Sequence, residues 1–425
     1  MKLTSIVTQL LLAPLALAAA APKVNQKITY DGYKVFRIST HHDAAIVKDL
    51  LKPLTTVAMN LKDEEHLDVA IAPQDLDAFD ALNLDAEVLH EDLGSDIKAE
   101  SKFGTYGGVS ARAVPSLTWW NSYHAYADHI TFYNDLAGAF PNNSEIFNIG
   151  TSVQGRQIFG LHIWGSGGKG SKPAVYFHGT VHAREWISAK VVEYISYQLL
   201  TQYSTDLAVM AIVDKYDFYI LPFVNPDGFV YSQTNDRLWR KNRQTRSGSS
   251  CVGTDINRNW PYKWSLTGGA STNKCSETYK GQAASDTPEN AALVAFTTTL
   301  KNSHGIKLYI DWHSFGQYIL LPYGYDCTQV AANNAQQTTL AIGLKTRIAL
   351  SYGTQFTYGP SCSTLYKTTG SSADYMTDVA LTEFAWTIEL RPTGSSSSGF
   401  ILPPAQILPS SIEQWEGMKY LLPIM

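Results

Sequence analysis

Ala174-Val-Tyr-Phe-His-Gly-Thr-Val-His-Ala-Arg-Glu185, running on into Trp186-Ile-Ser-Ala-Lys-Val-Val-Glu-Tyr-Ile-Ser-Tyr-Gln-Leu-Leu-Thr-Gln-Tyr203, is the stretch that decides the fold. Residues 174–179 read as a buried strand. From Trp186 onward the apolar residues Ile187, Val191, Val192, Ile195, Leu199 and Leu200 recur at helical spacing. A strand feeding directly into a helix is the unit of an open α/β sheet, and the turn between them is where such sheets place ligands. His182 and Glu185 fall in that turn.

The same alternation continues downstream. Residues 218–224, 307–312 and 384–390 are near-continuous apolar runs, as buried central strands should be, and helical periodicity returns at 289–302, 332–351 and 410–422. The expected architecture over 113–425 is one α/β domain, a mixed central sheet covered by helices on both faces. With 425 residues, 44% of them hydrophobic, the chain has material for that core and for a second, smaller domain.

The smaller domain comes first. Lys2 precedes an apolar run over 6–17, and Ala16-Leu-Ala18 offers small residues for cleavage. This reads as a signal peptide over 1–18, too short and too broken by Pro14 to span a bilayer, so a secreted protein is expected. Residues 19–112 carry sixteen acidic and ten basic side chains and no tryptophan or cysteine. Strand-like runs at 34–38, 67–71 and 86–90 alternate with helical stretches at 42–59 and 74–82, the order of a small α+β open sandwich. Residues 94–112 then read as a polar linker with Lys102 and Arg112 as exposed protease targets. An acidic module joined to a larger domain by a cleavable linker reads as an activation pro-segment, an intramolecular inhibitor removed by a protease near Arg112.

All ten tryptophans and the four cysteines, Cys251, Cys275, Cys327 and Cys362, lie beyond that boundary. In a secreted chain an even cysteine count favours two disulfides, with three possible connectivities, and the absence of a C-x-x-C pair argues against a cysteine zinc site. From Ala113 onward acidic and basic residues balance at 22 each, which gives no reason to expect nucleic acid or a membrane as partner. A monomer is expected.

His182, Glu185 and the distant His313 make a set of three nitrogen and oxygen donors. Such a set leaves the fourth corner of a tetrahedral zinc open, the catalytic pattern, with one Zn2+ per chain. Glu389 closes the run 384–390 as His313 follows the run 307–312, so both should emerge at the sheet's edge. A carboxylate there suits a general base beside zinc, where a water titrates near pH 7. Asn257 and Arg258, next to Trp260, present adjacent amide and guanidinium donors, a planar bidentate receptor for a carboxylate. A zinc, a base and a carboxylate receptor together recognise a peptide by its free C-terminus. An aminopeptidase would instead need anions to hold an amine, and a module that had lost catalysis would be expected to lack a ligand, Arg240 or Glu389.

The motifs His182-Ala-Arg-Glu-Trp, Asn225-Pro-Asp-Gly, Leu238-Trp-Arg-Lys, Thr254-Asp-Ile-Asn-Arg-Asn-Trp260, Trp312-His-Ser-Phe-Gly-Gln, Leu321-Pro-Tyr-Gly-Tyr and Ile388-Glu-Leu-Arg391 closely resemble those of the pancreatic-type zinc metallocarboxypeptidases, in order from about Tyr123 to the C-terminus. The resemblance implies a secreted carboxypeptidase A-like proenzyme acting on peptide and protein C-termini. It implies His182, Glu185 and His313 as zinc ligands, Glu389 as general base, Arg240 as the cation that polarises the scissile carbonyl, and Asn257 and Arg258 as the clamp on the terminal carboxylate. Tyr366 is implied as a mobile tyrosine closing over substrate, Arg237 as a cation further along the groove, Ser314 as a substrate-binding residue, and Asp255 as the carboxylate orienting His182. It also implies the bridges Cys251–Cys275 and Cys327–Cys362. Phe315 departs from the tyrosine of several relatives, and one extra residue lies between Asp374 and Glu389.

By the same resemblance, Ala373 holds the position that decides side-chain preference. Relatives that remove lysine and arginine carry aspartate there; an apolar residue goes with aromatic and large aliphatic C-termini. A pocket of Leu320, Gly324, Leu365, Thr368 and Thr387 around Ala373 has no anion to compensate a desolvated cation, and Asp374 is expected to face away.

Overall fold

The computed structural model describes residues 27–40, 43–60, 66–110 and 112–425. The signal-peptide reading lies outside the described residues. Eight strands form the main sheet: β5 (Ser144–Thr151), β6 (Gln157–Ile163), β7 (Ala174–Gly179), β8 (Asp217–Leu221), β9 (Ile306–Gly316), β10 (Tyr318–Leu321), β11 (Thr357–Pro360) and β12 (Phe384–Thr393). Their order is β11-β10-β12-β9-β7-β8-β6-β5. The centre, β12-β9-β7-β8, is parallel, whereas β10 and β6 run antiparallel to their inner neighbours.

Both faces of the sheet are buried, and the period-two alternation of each strand divides its residues between two cores. Val175, Phe177, Leu308, Ile310, Trp312, Phe384, Trp386 and Ile388 pack on one side with residues of the helices Tyr126–Ala139, Trp186–Gln202, Asn334–Tyr352 and Ile407–Ile424. Tyr176, Tyr309 and Ala385 face the other side, under Leu293 and Leu300 of the helix Pro288–Asn302 and Tyr375 and Met376 of the helix Ser372–Asp378. The mixed two-faced α/β architecture is as expected. The three downstream helices fall within a few residues of their expected positions.

The N-terminal module has a four-stranded antiparallel sheet of β1 (Lys34–Ser39), β2 (Thr56–Ala58), β3 (His66–Ile71) and β4 (Ala86–His90), in the order β2-β3-β1-β4. Its helices are α1 (Ala44–Leu51), α2 (Leu76–Asp80) and α3 (Leu93–Glu100). Two expectations need correction. The single helix over 42–59 ends at Leu51, with Lys52 as its cap, because Pro53 has no N–H to continue the helical hydrogen bonds; β2 follows. Residues 94–112 are not a linker throughout, since α3 occupies the first part. Asp92 caps it by accepting the Ser95 amide hydrogen at 3.1 Å, and Leu93 and Ile97 pack into the contact with the main domain. The remainder, to Arg112, has no helix or strand among its described residues and lies along the helix Tyr126–Ala139, with the Tyr106 hydroxyl donating to Asp135 at 2.9 Å. Lys102 and Arg112 are exposed. Bridges Cys251–Cys275 and Cys327–Cys362 are both present. No helix among the described residues is long and apolar enough to cross a membrane.

Candidate active site

The loop after β7 carries His182, and Glu185 is the residue from which the helix Trp186–Gln202 starts. β9, parallel to β7, carries His313, and β12, parallel to β9, sets Glu389 directly beside it in register. His313 and Glu389 therefore sit inside their strands, which run on to Gly316 and Thr393, and not at the strand ends the apolar runs suggested.

His182 Nδ1 lies 2.9 Å from Glu185 Oε1, His313 Nδ1 lies 3.1 Å from Glu185 Oε2, and the two Nδ1 atoms are 3.1 Å apart. His182 turns Nε2 toward Asp255 Oδ1 at 3.1 Å, as the reading of Asp255 anticipated. The Nδ1 atoms of both imidazoles thus point to one place beside a carboxylate. Two ring nitrogens and a carboxylate oxygen, all buried and within 4.8 Å of one another, fit a divalent cation of borderline softness. Burial alone would raise the Glu185 carboxyl; the two histidines hold it well below the usual range. Glu389 is different. Burial, opposed by His313 and Arg240, pushes it up to about 8.

Arg240 donates to Asp255 Oδ2 at 3.0 Å and stands 3.9 Å from Glu185. Burial works against its charge and Asp255 overrides that. The Asn257 backbone N–H donates to Asp255 Oδ1 at 2.9 Å, and Arg258 is held by the Asn257 and Gly269 carbonyls, both at 2.9 Å. Two cavities meet here. A small one, about 50 Å³, is lined by His182, Arg240, Asn257, Arg258, His313, Tyr366, Ala373 and Glu389. A larger one, about 400 Å³, is lined by Glu185, Arg240, Ser314, Phe315, Tyr366 and Glu389 and, from the N-terminal module, by Asn60 and His66.

Two residues sit differently from expectation. Asp374 does not face away: it lines the small cavity with Ala373, and its carboxylate accepts the Gly324 N–H at 2.9 Å. Arg237 lines neither of these cavities. Its guanidinium stacks on Trp186 at 3.8 Å and makes a bidentate pair with Glu100 of α3 at 2.6 and 2.9 Å, with further bonds to the Arg184 and Phe400 carbonyls. Sequence reasoning missed Glu100, whose helix was read as linker, and gave no role to Asp311, although its i, i+2 spacing from His313 on a strand puts both on one face.

Residues 129–417 match the family model described as zinc carboxypeptidase. The chain belongs to the zinc carboxypeptidase family. It is 43% identical over 420 residues to a metallocarboxypeptidase A-like protein of Trichophyton verrucosum, covering 96% of this chain and 97% of that one. It is 34% identical to zinc carboxypeptidase A 1 of Anopheles gambiae over 92% and 89% of the two chains. Among solved structures, thrombin-activatable fibrinolysis inhibitor matches with a TM-score of 0.84 at 25% identity, covering 93% of this chain and 98% of that one. Carboxypeptidase A of Helicoverpa armigera matches with a TM-score of 0.77 at 26% identity, covering 92% and 97%. The resemblance read from the motifs is therefore correct at the level of family, fold and enzyme class, and zinc is the metal that the family implies.

Proposed function

We propose that this zinc carboxypeptidase is secreted as a latent proenzyme, holds one Zn2+ through His182, Glu185 and His313, and releases aromatic or large aliphatic residues from peptide C-termini once cleaved near Arg112. The observation that carries this reading is the meeting, at one pair of cavities, of the three-donor set, the half-buried Glu389 carboxylate and three arginine and asparagine donors. When bound, zinc lowers the pKa of a water to about 7, polarises the scissile carbonyl, and draws Glu389 down from its metal-free value.

The chain's own residues do the rest. Glu389 accepts a proton from the attacking water and returns it to the leaving amine. Arg240, held by Asp255, faces the oxygen on which negative charge develops. Asn257 and Arg258 hold the terminal carboxylate, Arg258 through a planar fork whose position its two backbone partners fix. Ser314 and Tyr366 wall the groove, and Tyr366, which lies outside helix and strand, closes over a bound peptide in this reading. Ala373 gives the side-chain pocket an uncharged wall. Asp374 does not make it a site for cations in this reading, because its carboxylate is already taken by the Gly324 N–H and burial disfavours its charge.

Residues 19–112 are read as the inhibitory pro-segment. Support comes from Asn60 and His66, which close one side of the larger cavity, and from Glu100, which occupies Arg237. In this reading Arg237 joins the substrate groove only after the module leaves. The test measures zinc content and hydrolysis of a peptide panel varying only in its last residue, with intact protein and with protein cleaved near Arg112. Phe-, Tyr- or Leu-ended peptides should be cut fastest, and only after cleavage. Fast hydrolysis by the intact chain would remove the inhibitory role, and a preference for Lys or Arg would remove the apolar one.

A further inference from the structure

A second carboxylate lies behind the three donors. Asp311 precedes His313 by two residues on β9, on the same face, and no part of it reaches solvent. Its Oδ1 is 2.9 Å from His313 Nε2 and 3.2 Å from His178 Nδ1. Ser372 donates its hydroxyl hydrogen to Oδ2 at 2.7 Å. His178, the direct neighbour of Asp311 on β7, has its other nitrogen on the Tyr309 hydroxyl.

The placement parallels that at His182. Each histidine has Nδ1 against Glu185 and Nε2 against a fully buried carboxylate, Asp255 through a hydrogen bond in one case and Asp311 through a charge contact in the other, where Nε2 also lies 3.3 Å from Asn257 Nδ2. A carboxylate against Nε2 favours the tautomer that carries its hydrogen there and leaves Nδ1 bare. Asp255 is steadied by Arg240, and Asp311 by Ser372 and His178. The backbone N–H of Ser372 also donates to Asn257 Oδ1 at 2.8 Å, and that of Asn257 to Asp255 at 2.9 Å. The contacts close into a ring: His313, Asp311, Ser372, Asn257, Asp255, His182, Glu185 and back to His313. All seven members are buried, so the ring is out of competition with water and resists distortion.

We propose that Asp311 is a positioning residue that holds His313 as an Nδ1 donor, the counterpart for that histidine of Asp255 for His182. The proposal rests on the reading of His182, Glu185 and His313 as zinc ligands. Its test uses the intact chain and needs no turnover: zinc affinity by chelator competition, the rate of zinc release, and thermal unfolding of the zinc-free proteins. Wild type is compared with His313→Ala, Asp311→Asn and Asp311→Ala.

Loss of such a partner costs roughly 10–100-fold in metal affinity. Asp311→Ala should fall in that range with faster release, and Asp311→Asn nearer its lower end, because the amide oxygen keeps a partial negative charge against Nε2. Should the alanine variant fail to fold, the nearly isosteric asparagine variant decides alone. Wild-type affinity and release rate in Asp311→Asn, even with a lowered melting temperature, would make Asp311 purely structural and overturn the proposal. Zinc binding that survives His313→Ala unchanged would overturn the ligand reading itself, a result distinct from failure at Asp311.

Discussion

Glu389, half-buried, and Asp374, buried, are carboxylates in the wall of one small cavity, and burial raises both, to about 8 and about 6. They are expected to answer substitution in opposite ways. Glu389→Gln removes only a proton carrier, so zinc and substrate affinity should hold while kcat falls by about 10²–10⁴; zinc loss from that variant would make Glu389 a ligand instead. Asp374 bears on stability. Its folded pKa exceeds the ordinary 3.8, so its contribution to stability is complete below about pH 4 and declines as pH rises through about 6. Asp374→Asn should therefore gain on wild type by ~2–3 kcal/mol between pH 4 and pH 8 in chemical denaturation. Parallel pH profiles for the two proteins would show that Asp374 does not titrate in that window. Beside it, Ala373→Asp adds an anion to an uncharged wall. Preference in kcat/KM should move toward Lys- and Arg-ended peptides by on the order of 10²-fold, and an unchanged preference would mean that Ala373 does not wall the pocket.

Single elements were legible where one local rule was decisive. β7 and the helix after it are long, regular and strongly patterned, and β1, β3 and β4 lie within one residue of their expected positions because each is a short alternating run. The helix expected over 42–59 failed at Pro53, a signal that periodicity alone overlooks. α3 was invisible for another reason. Eight residues with Gly94, Ser95, Asp96 and Lys98 among them look like linker, and what holds the helix is Glu100 on Arg237, a partner 137 positions away. Removing one member of such a buried pair leaves the other charge uncompensated, at a cost of about 3–5 kcal/mol. Glu100→Ala should therefore loosen the N-terminal module, read as faster proteolysis at Lys102 and quicker dissociation of the module after cleavage. Unchanged proteolysis would show that the remaining contacts suffice to dock it.

At the scale of the whole molecule, the parts of the site were recognisable but their assembly was not. His182, His313 and Glu389 each belong to a readable motif, yet only the β7-β9-β12 pairing brings them to one place. Asp311 stayed without a role because that role depends on His178 and Ser372, which are neighbours in space alone. Under the proposed ligand set, the same pairing couples the metal to the stability of the entire domain. The donors come from β9 and from the loop after β7, near the middle of the sheet, so no unfolding that parts these strands can keep an ion. Zinc then acts as a ligand of the native state only, and the protein's resistance to heat becomes a function of free zinc. A thousandfold excess over Kd is worth about 4 kcal/mol by mass action. The melting temperature should climb with the logarithm of free zinc and fall on chelation; in His313→Ala that dependence should flatten.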